Sequence, residues 1–405
     1  MRRALVILLV LLPAEAAQAD LQSNLTRQMR QAGSYSGAYV TNLTTGEQVF
    51  AWRGGAARIL ASNTKLFTSA AALARFGTEG TLGTEVLGSG ELDEEGIFRG
   101  SLYLRGGGDP TFGSRSFTGR AYGSGATVEQ LAALLRDAGI ERVTGRVYGD
   151  ESRHDSLRGG PDSGFGVSIW VGPLSGLSFN RGFASENGGS YQASPPAFAA
   201  ARLDAALEAR GIPVRMRPSA GTAPAEAEIL ASVDSPPMES LVRLMNKSSD
   251  NFFAELIVKD LAMRPGRRAT TSAGVRVAAR FARRLGSRAR LVDGSGLSRG
   301  NRASPFRVVR LLAAMTERDE FDAWFASLAV AGRDGTLKDR MRSGAARRRC
   351  RGKTGTLSDV SALSGYCTAR SGDLYAFSIL MNGVYTPGAR VLQDRMAKAI
   401  AAQRG

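Results

Sequence analysis

Alternating apolar and polar positions predict β-structure near the start of the chain, followed by a helix. Residues 36–50, SGAYVTNLTTGEQVF, alternate around a Thr-Thr-Gly turn and are typical of a β-hairpin. The segment from Ser62 to Phe76 is rich in alanine and leucine and ends at Gly77. It therefore predicts a helix with Ser62 at its N-terminus.

Between residues 78 and 235 the pattern changes to short strand-like pieces separated by glycine. These pieces are TEVLGSGEL (84–92), GIFRGSLYLRG (96–106) and RVTGRVYGD (142–150). One helical stretch lies near 198–209, and candidate loops or boundaries lie at 158–166 and 218–227. We interpret 78–235 as an inserted β-rich domain.

Helical periodicity returns after the insertion and is followed by strands. The predicted helices are Met238–Met245, Phe252–Leu261, Ala273–Leu285 and Phe306–Met315. The predicted strands are 351–356, 363–368 and 374–381, before a closing amphipathic helix over 389–402. The mixture of predicted helices and strands indicates an α/β (α+β) protein. Because 405 residues exceed the usual size of one core, we also expect two domains. Residues 20–77 and 236–405 would form one, and 78–235 the other.

The N-terminus has the pattern of a secretory signal peptide. A basic start at Met1–Arg3 precedes an apolar run, Ala4–Leu12, and a small-x-small pattern at Ala17–Ala19. The run stops at Pro13, well short of the roughly 20 apolar residues that span a bilayer. We expect residues 1–19 to be removed and the chain from Asp20 to be exported to the periplasm or the extracellular cell envelope.

The amino-acid composition bears on which partners and cofactors the protein can have. The chain is 43% apolar and 22% charged, as in an ordinary globular protein, and its net charge is +16. The arginines are scattered, so we expect no nucleic-acid partner and at most electrostatic association with the cell envelope. The alternative is that they merely solvate the surface. With two cysteines and one histidine the chain lacks the usual zinc motifs, and we expect no metal and no other cofactor.

The single histidine makes a Ser-His-Asp site improbable on sequence grounds. His154 lies in GDESRHD, no GxSxG occurs, and we interpret this histidine as an ordinary surface or loop residue. A serine nucleophile would then need lysine as its base, because burial lowers the pKa of lysine while arginine stays protonated. Six of the 53 basic residues are lysines, and two of these lie in the motifs described next.

Three motifs occur in the order SxxK, SDN and KTG. Ser62-Asn63-Thr64-Lys65 places the lysine one helical turn from the serine, on the same face. Ser249-Asp250-Asn251 falls between two helical segments, in a loop that could face a cleft. Lys353-Thr354-Gly355 lies on a predicted strand, where a cation and a hydroxyl can hold a carboxylate and glycine admits another backbone. The SxxK match alone is weak and KTG has a chance expectation of about a few per cent, whereas the ordered set has one of about one in several thousand.

With these motifs the sequence resembles a penicillin-binding protein of the D-alanyl-D-alanine carboxypeptidase and endopeptidase family, of the low-molecular-mass class C type. Members carry an insertion between the first two motifs, which here are 187 residues apart. Further matching stretches are GGGDPTF (106–112), GPLSGLSFNRG (172–182), DGSGLSRGNR (293–302) and KTGTLSDVSALSGY (353–366). The resemblance implies a β-lactamase/transpeptidase-like domain with an antiparallel sheet and helices. It also implies that peptidoglycan stem peptides are substrates and β-lactams inhibitors.

The resemblance assigns catalytic roles to three side chains. Ser62 would be the acylated nucleophile, Lys65 its general base, and Ser249 the relay of a proton to the leaving amine. The backbone N–H groups of Ser62 and Thr356 would form the oxyanion hole.

It also assigns substrate-binding roles. Asn251 would hold the substrate's amide, while Lys353 and Thr354 would bind its terminal carboxylate. We interpret Asp250 as structural, Lys247 as capping or solvating its helix, and leave the GSGL stretch at 294–297 out of the catalytic set.

The two cysteines could be paired across a hairpin. A turn near Ser358 and Asp359 would place Cys350 and Cys367 opposite one another, so a cross-strand disulfide is feasible although it needs particular Cβ geometry.

Three alternatives stay open. A β-lactamase or related esterase would use the same nucleophile, but the ExxLN pattern of a class A enzyme is absent between the second and third motifs. A penicillin sensor or wall-binding protein would keep the fold without turnover. Trimming a terminal D-alanine and cutting a D-alanyl cross-link use the same chemistry, and the sequence does not separate them.

Overall fold

The N-terminal part of the chain contributes a hairpin and a helix in the computed structural model, which describes residues 12–404. Its elements are α1 (Leu12–Gln31), β1 (Ser36–Asn42), β2 (Gln48–Trp52), β3 (Arg58–Ile59) and α2 (Thr64–Phe76). Strands β1 and β2 form the predicted hairpin, and α2 is followed by Gly77 as predicted. Ser62 lies in a 3-10 turn, Ala61–Asn63, directly before α2, so the regular helix begins two residues later than predicted.

Residues 83–234 form a second sheet with helices of its own. The elements are β4 (Gly83–Leu92), β5 (Ile97–Arg105), α3 (Arg115–Tyr122), α4 (Val128–Asp137), β6 (Arg142–Asp150), α5 (Pro195–Glu208), β7 (Val214–Ala220) and β8 (Glu228–Asp234). The strand order is β7-β6-β5-β4-β8, and the pairs β5–β6 and β6–β7 are parallel. Parallel neighbours need crossover connections, and helices supply them here. The insertion is therefore less purely β than we predicted, since α3 and α4 were missed. The domain boundaries stay a prediction.

The C-terminal part completes the first sheet. Its elements are α6 (Met238–Ser248), α7 (Asn251–Asp260), α8 (Thr271–Arg284), β9 (Arg302–Ala303), α9 (Pro305–Met315), α10 (Phe321–Ser327), β10 (Ala329–Val330), β11 (Cys350–Leu357), β12 (Val360–Thr368), β13 (Leu374–Asn382) and α11 (Thr386–Ala401). The sheet order is β10-β11-β12-β13-β1-β2, antiparallel throughout. The pairing of β1 with β13 joins the part of the chain before the insertion to the part after it. The short helix α10 was not predicted.

Helices cover both faces of this main sheet. On one face, helices α2 and α6 to α10 pack with Ala362 and Leu380. On the other, α1 and α11 pack with Leu363. Because successive strand residues point to opposite faces, Ala362 and Leu363 enter different cores. Helix α2 lies inside the first core and is buried from Thr64 to Leu73, so the side chain of Lys65 is enclosed.

The segment that predicts a signal peptide is described only in part. Residues 1–11 lie outside the described residues, and α1 runs through the predicted cleavage point. Leu21, Leu25 and Met29 of α1 are buried, and all three lie after that point. In the part of the chain from 12 to 404, no helix is both long enough and apolar enough to cross a membrane. Cleavage near Asp20 stays a prediction.

The prediction of a surface position for His154 was wrong. The residue is fully buried, and its Nε2 lies 2.7 Å from Oδ1 of Asp260 at the end of α7. The cause is long-range: the neighbours of His154 pair through their backbones with Ala269, which closes the segment over α7. Burial lowers the pKa of His154 to about 3, so its neutral form packs here.

Cys350 and Cys367 form a disulfide. They occupy directly paired positions on β11 and β12, with Cα atoms 4.1 Å apart, and both are buried. The bridge lies at the open end of the β11–β12 hairpin, whose first strand carries the KTG motif.

We expect loss of this disulfide to destabilise the fold. The Cys350→Ala, Cys367→Ala double variant should lose about 3 kcal/mol of unfolding free energy, because the bridge restricts the unfolded chain over a separation of 17 residues. Guanidinium unfolding measures this loss, and wild-type protein under reducing conditions should behave like the variant. Two free thiols in denatured, unreduced protein would contradict the bond.

Candidate active site

The nucleophile candidate Ser62 lies in a turn held by two glycines. Ala61 has a positive φ of 46°, which is uncommon outside glycine. A Cβ on Gly296 would lie 1.9 Å from the carbonyl oxygen of Ala61, and one on Gly355 would lie 2.9 Å from the backbone nitrogen of Ser62. Only residues without a side chain allow the 294–297 loop and β11 to approach this turn so closely.

Lys65 is the centre of the hydrogen-bond network around the turn. Its Nζ lies 3.1 Å from Oγ of Ser62, 2.7 Å from Oδ1 of Asn251 and 2.6 Å from the carbonyl oxygen of Ser295. The first distance lies within the SxxK motif, and the second joins it to the SDN motif. The Ser295 contact was missed because a backbone carbonyl leaves no residue-type signal in the sequence.

Burial makes Lys65 a base at moderate pH. The side chain is fully buried, and desolvation lowers its pKa to about 8. The carboxylates of Asp293, Glu255 and Asp250 act in the opposite direction. Lys353 is also buried, and its own pKa is lowered well below the ordinary value, by desolvation first and by Lys65 second.

Two buried carboxyl groups hold the loop that supplies the Ser295 carbonyl. Glu255 on α7 accepts hydrogen bonds from the N–H groups of Gly294 and Ser295, at 3.1 and 2.8 Å. Asp293 accepts from the N–H of Gly296 at 2.7 Å. Burial raises the pKa of Glu255 to about 8. These contacts fix the 294–297 loop beside Lys65. The loop is therefore part of the site, although we had left it out of the catalytic set.

The SDN motif occupies the junction of α6 and α7. Ser249 has a left-handed backbone, with φ 63°, and ends α6. Asp250 caps α7 by accepting from the N–H of Phe253, as its structural interpretation requires. Asn251 accepts from Lys65 and donates through Nδ2 to the carbonyl oxygen of Trp170 at 3.1 Å.

The insertion reaches into this motif. Arg181 donates to both carboxylate oxygens of Asp250, at 2.5 and 3.3 Å, and its guanidinium lies 5.1 Å from the ring centroid of Phe252. Trp170 is 68% exposed and lines the cleft beside Asn251. Sequence reasoning selected neither residue, because both lie far from the motifs along the chain.

The KTG motif lies on β11, at an edge of the main sheet. The partner strand β10 pairs only with Arg351 and Gly352, so residues 353–357 have no strand on that side in the described structure. Thr354 Oγ1 is 2.8 Å from Oγ1 of Thr336. Lys353 Nζ donates to the carbonyl oxygen of Thr354 at 3.0 Å. Asn63 Nδ2 donates to the carbonyl oxygen of Lys353 at 2.9 Å, which fixes β11 against the Ser62 turn.

A cleft of about 520 Å³ joins these parts. The predicted site residues that line it are Ser62, Ser249, Asn251, Thr354, Gly355 and Thr356. Lys65 and Lys353 lie behind its wall. The wall also includes Arg340 and Arg390, which were not predicted, and Arg390 donates to Thr356 Oγ1 at 3.2 Å.

Comparison with known proteins gives consistent matches. The family model described as D-Ala-D-Ala carboxypeptidase 3 (S13) matches residues 17–166 and 189–403. A D-alanyl-D-alanine carboxypeptidase of Actinomadura sp. (strain R39) is 30% identical over 98% of this chain and 89% of its own length. Penicillin-binding protein 4 of Haemophilus influenzae, 21% identical, has the same fold, with a TM-score of 0.76 over 92% of this chain and 98% of its own. The same protein complexed with a β-lactam gives 0.75 over 92% and 97%.

The close approach at Gly296 predicts a costly substitution. Gly296→Ala and Gly372→Ala both place alanine at a positive φ, of 92° and 97°, but a Cβ at Gly372 meets no atom within 4 Å. We expect Gly296→Ala to lose about 2 kcal/mol more unfolding free energy than the control, because its Cβ collides with the Ser62 turn. Denaturant unfolding of both variants measures the difference. Equal losses would show that the contact does not constrain the turn.

Proposed function

The chain belongs to the D-Ala-D-Ala carboxypeptidase 3 (S13) family, and from this premise we propose that it is a serine-type D-alanyl-D-alanine carboxypeptidase acting on peptidoglycan stem peptides. One observation carries the proposal. The fully buried Nζ of Lys65, with its pKa lowered to about 8, lies 3.1 Å from Oγ of Ser62. A neutral amine at this distance can take the hydroxyl proton as the oxygen attacks a carbonyl.

We propose the following reaction for these groups. Ser62 Oγ attacks the carbonyl of the penultimate D-alanine, and Lys65 takes its proton. The backbone N–H groups of Ser62 and Thr356 stabilise the oxyanion. Ser249 passes the proton that Lys65 took to the amine of the leaving D-alanine as the C–N bond breaks, which returns Lys65 to its neutral form. Water then attacks the acyl-enzyme ester, giving the shortened peptide acid and free Ser62.

The free edge of β11 supports binding of an extended peptide. Within the described part of the chain, residues 353–357 have no neighbouring strand on one side, so a substrate main chain can pair there, as added strands do at sheet edges. The hydroxyls of Thr354 and Thr336 can donate to the terminal carboxylate, and a carboxylate bound there would favour the protonated form of Lys353, which lies buried behind the strand. Asn251 can hold the substrate amide while it positions Lys65. If the leaving amine belongs to a neighbouring stem peptide, the same steps cut a cross-link.

We further propose that the protein works outside the cytoplasm, in the periplasm or the extracellular cell envelope. The signal-peptide pattern and the Cys350–Cys367 disulfide support this location, because disulfides persist in oxidising compartments.

Turnover and acylation should depend on the same serine. Purified protein should release D-alanine from diacetyl-L-Lys-D-Ala-D-Ala over many turnovers and consume benzylpenicillin at near one equivalent per site. Ser62→Ala should abolish both reactions, whereas Ser248→Ala, which removes an exposed hydroxyl next to the SDN motif, should keep them. Mass analysis of the intact protein and of released D-alanine measures the outcome. Rapid multiple turnover of penicillin without D-alanine release would favour a β-lactamase, and a stable adduct without peptide turnover would favour a sensor.

Acylation should rise with pH through the pKa of Lys65. The base must be neutral, so the rate constant should fall about tenfold per pH unit well below 8 and level off above it. Lys65→Arg stays protonated and should be nearly inactive. Benzylpenicillin acylation rates between about pH 6 and pH 9.5 test this, with circular dichroism confirming the fold at each pH. A flat profile, or normal acylation in Lys65→Arg, would assign the base to another group.

A further inference from the structure

A second cavity, separate from the cleft, is lined largely by arginine. It has a volume of about 720 Å³, and its arginines are Arg105, Arg153, Arg264, Arg267 and Arg268. Ser152 and Thr222 add hydroxyl groups. Within the described residues, no aspartate or glutamate lines it, and it shares no lining residue with the cleft. Such a concentration of guanidinium groups on one cavity creates a local positive potential.

Two of these arginines are fixed by a single carboxylate. Arg105 and Arg153 each donate to Oε2 of Glu85 at 2.8 Å. Burial alone would raise the pKa of Glu85, but the two arginines hold it below its ordinary value. One negative charge thus offsets two positive charges, and the pair keeps a net charge of about +1 at the cavity wall.

The other three arginines have no protein partner for their charge. Arg264, Arg267 and Arg268 are exposed on the loop between α7 and α8, and for residues 12–404 their guanidinium groups form no ion pair and no side-chain hydrogen bond. An adjoining cavity of about 240 Å³ shares Ser152, Thr222 and Arg268, but among the described residues it adds the carboxylate of Glu151 and no further arginine. The arginine-lined groove is therefore confined to the larger cavity.

The groove lies far from the nucleophile. Helix α7 starts at Asn251 in the cleft and ends at Asp260, just before the arginine loop. At a rise of 1.5 Å per residue the helix separates the two sites by about 15 Å along its axis. A ligand in the groove would therefore not occupy the position of the scissile peptide.

We propose that this arginine groove, defined by the five arginines named above, binds a phosphate-bearing polymer of the cell envelope. A phosphate group offers three acceptor oxygens and can engage more than one guanidinium fork, whereas a carboxylate is filled by one bidentate arginine. A chain of phosphates can contact several of these five arginines at once.

Tripolyphosphate and a matched pair of triple variants test the proposal by calorimetric titration. The groove variant is Arg264→Gln, Arg267→Gln, Arg268→Gln. The control, Arg283→Gln, Arg288→Gln, Arg290→Gln, removes the same charge from exposed arginines elsewhere. We expect affinity at least about tenfold weaker in the groove variant and within about twofold of wild type in the control. Equal weakening in both, or no saturable binding to wild type, would overturn the site.

Two further arms separate phosphate recognition from charge alone. Hexaglutamate should bind wild type at least about tenfold more weakly than tripolyphosphate. Replacing the three loop arginines with lysine keeps the charge and should weaken tripolyphosphate binding a few-fold, because the bidentate geometry is lost. Equal affinity for hexaglutamate would overturn the assignment to phosphate, and unchanged binding by the lysine variant would overturn recognition by guanidinium. Thermal unfolding of each variant checks that the fold is intact.

Discussion

The burial of Lys65 is the constraint on which the rest of the site depends. An ammonium group removed from water is costly unless it is hydrogen-bonded, and here Ser62, Asn251 and the Ser295 carbonyl surround Nζ. These three groups come from three separate parts of the chain. Helix α2 must therefore lie in the middle of the helical layer, with α7 and the 294–297 loop packed against it. The same burial that requires these partners lowers the pKa of Lys65 into the range where it can act as a base.

The insertion takes part in this arrangement through few contacts. Arg181 donates hydrogen bonds to Asp250, and the carbonyl oxygen of Trp170 accepts one from Asn251. The insertion therefore contacts two consecutive residues of the SDN motif. Asp250 in turn caps α7, and Asn251 is the residue that bonds Lys65. A displacement of residues 170–181 would therefore change the position of Lys65 through Asp250 and Asn251. This gives the segment a role in positioning the site, in addition to any role in binding.

Local patterns explain which features could be predicted from sequence. The Ser62–Lys65 spacing, the β1–β2 hairpin and the pairing of Cys350 with Cys367 each depend on residues that are near in sequence or symmetric about a turn. Features that depend on tertiary packing were missed. His154 is buried because a distant segment closes over α7, and Ser295 acts through a backbone carbonyl. Trp170 lies in no quoted stretch, Arg181 lies in the stretch 172–182 to which no role was given, and α3 and α4 are short helices among glycines.

Lys65 and Lys353 are two buried amines of the same site. Each is enclosed by the fold, and the charge on Lys65 lowers the pKa of Lys353, so two protons on the pair are disfavoured. The carboxyl groups of Asp293 and Glu255 lie on the Lys65 side and favour its charged form there. A substrate carboxylate placed at Thr354 would add negative charge on the Lys353 side, because opposite charges stabilise the protonated amine. Such a carboxylate would therefore act on the pKa of Lys353 in the direction opposite to burial and to the charge of Lys65.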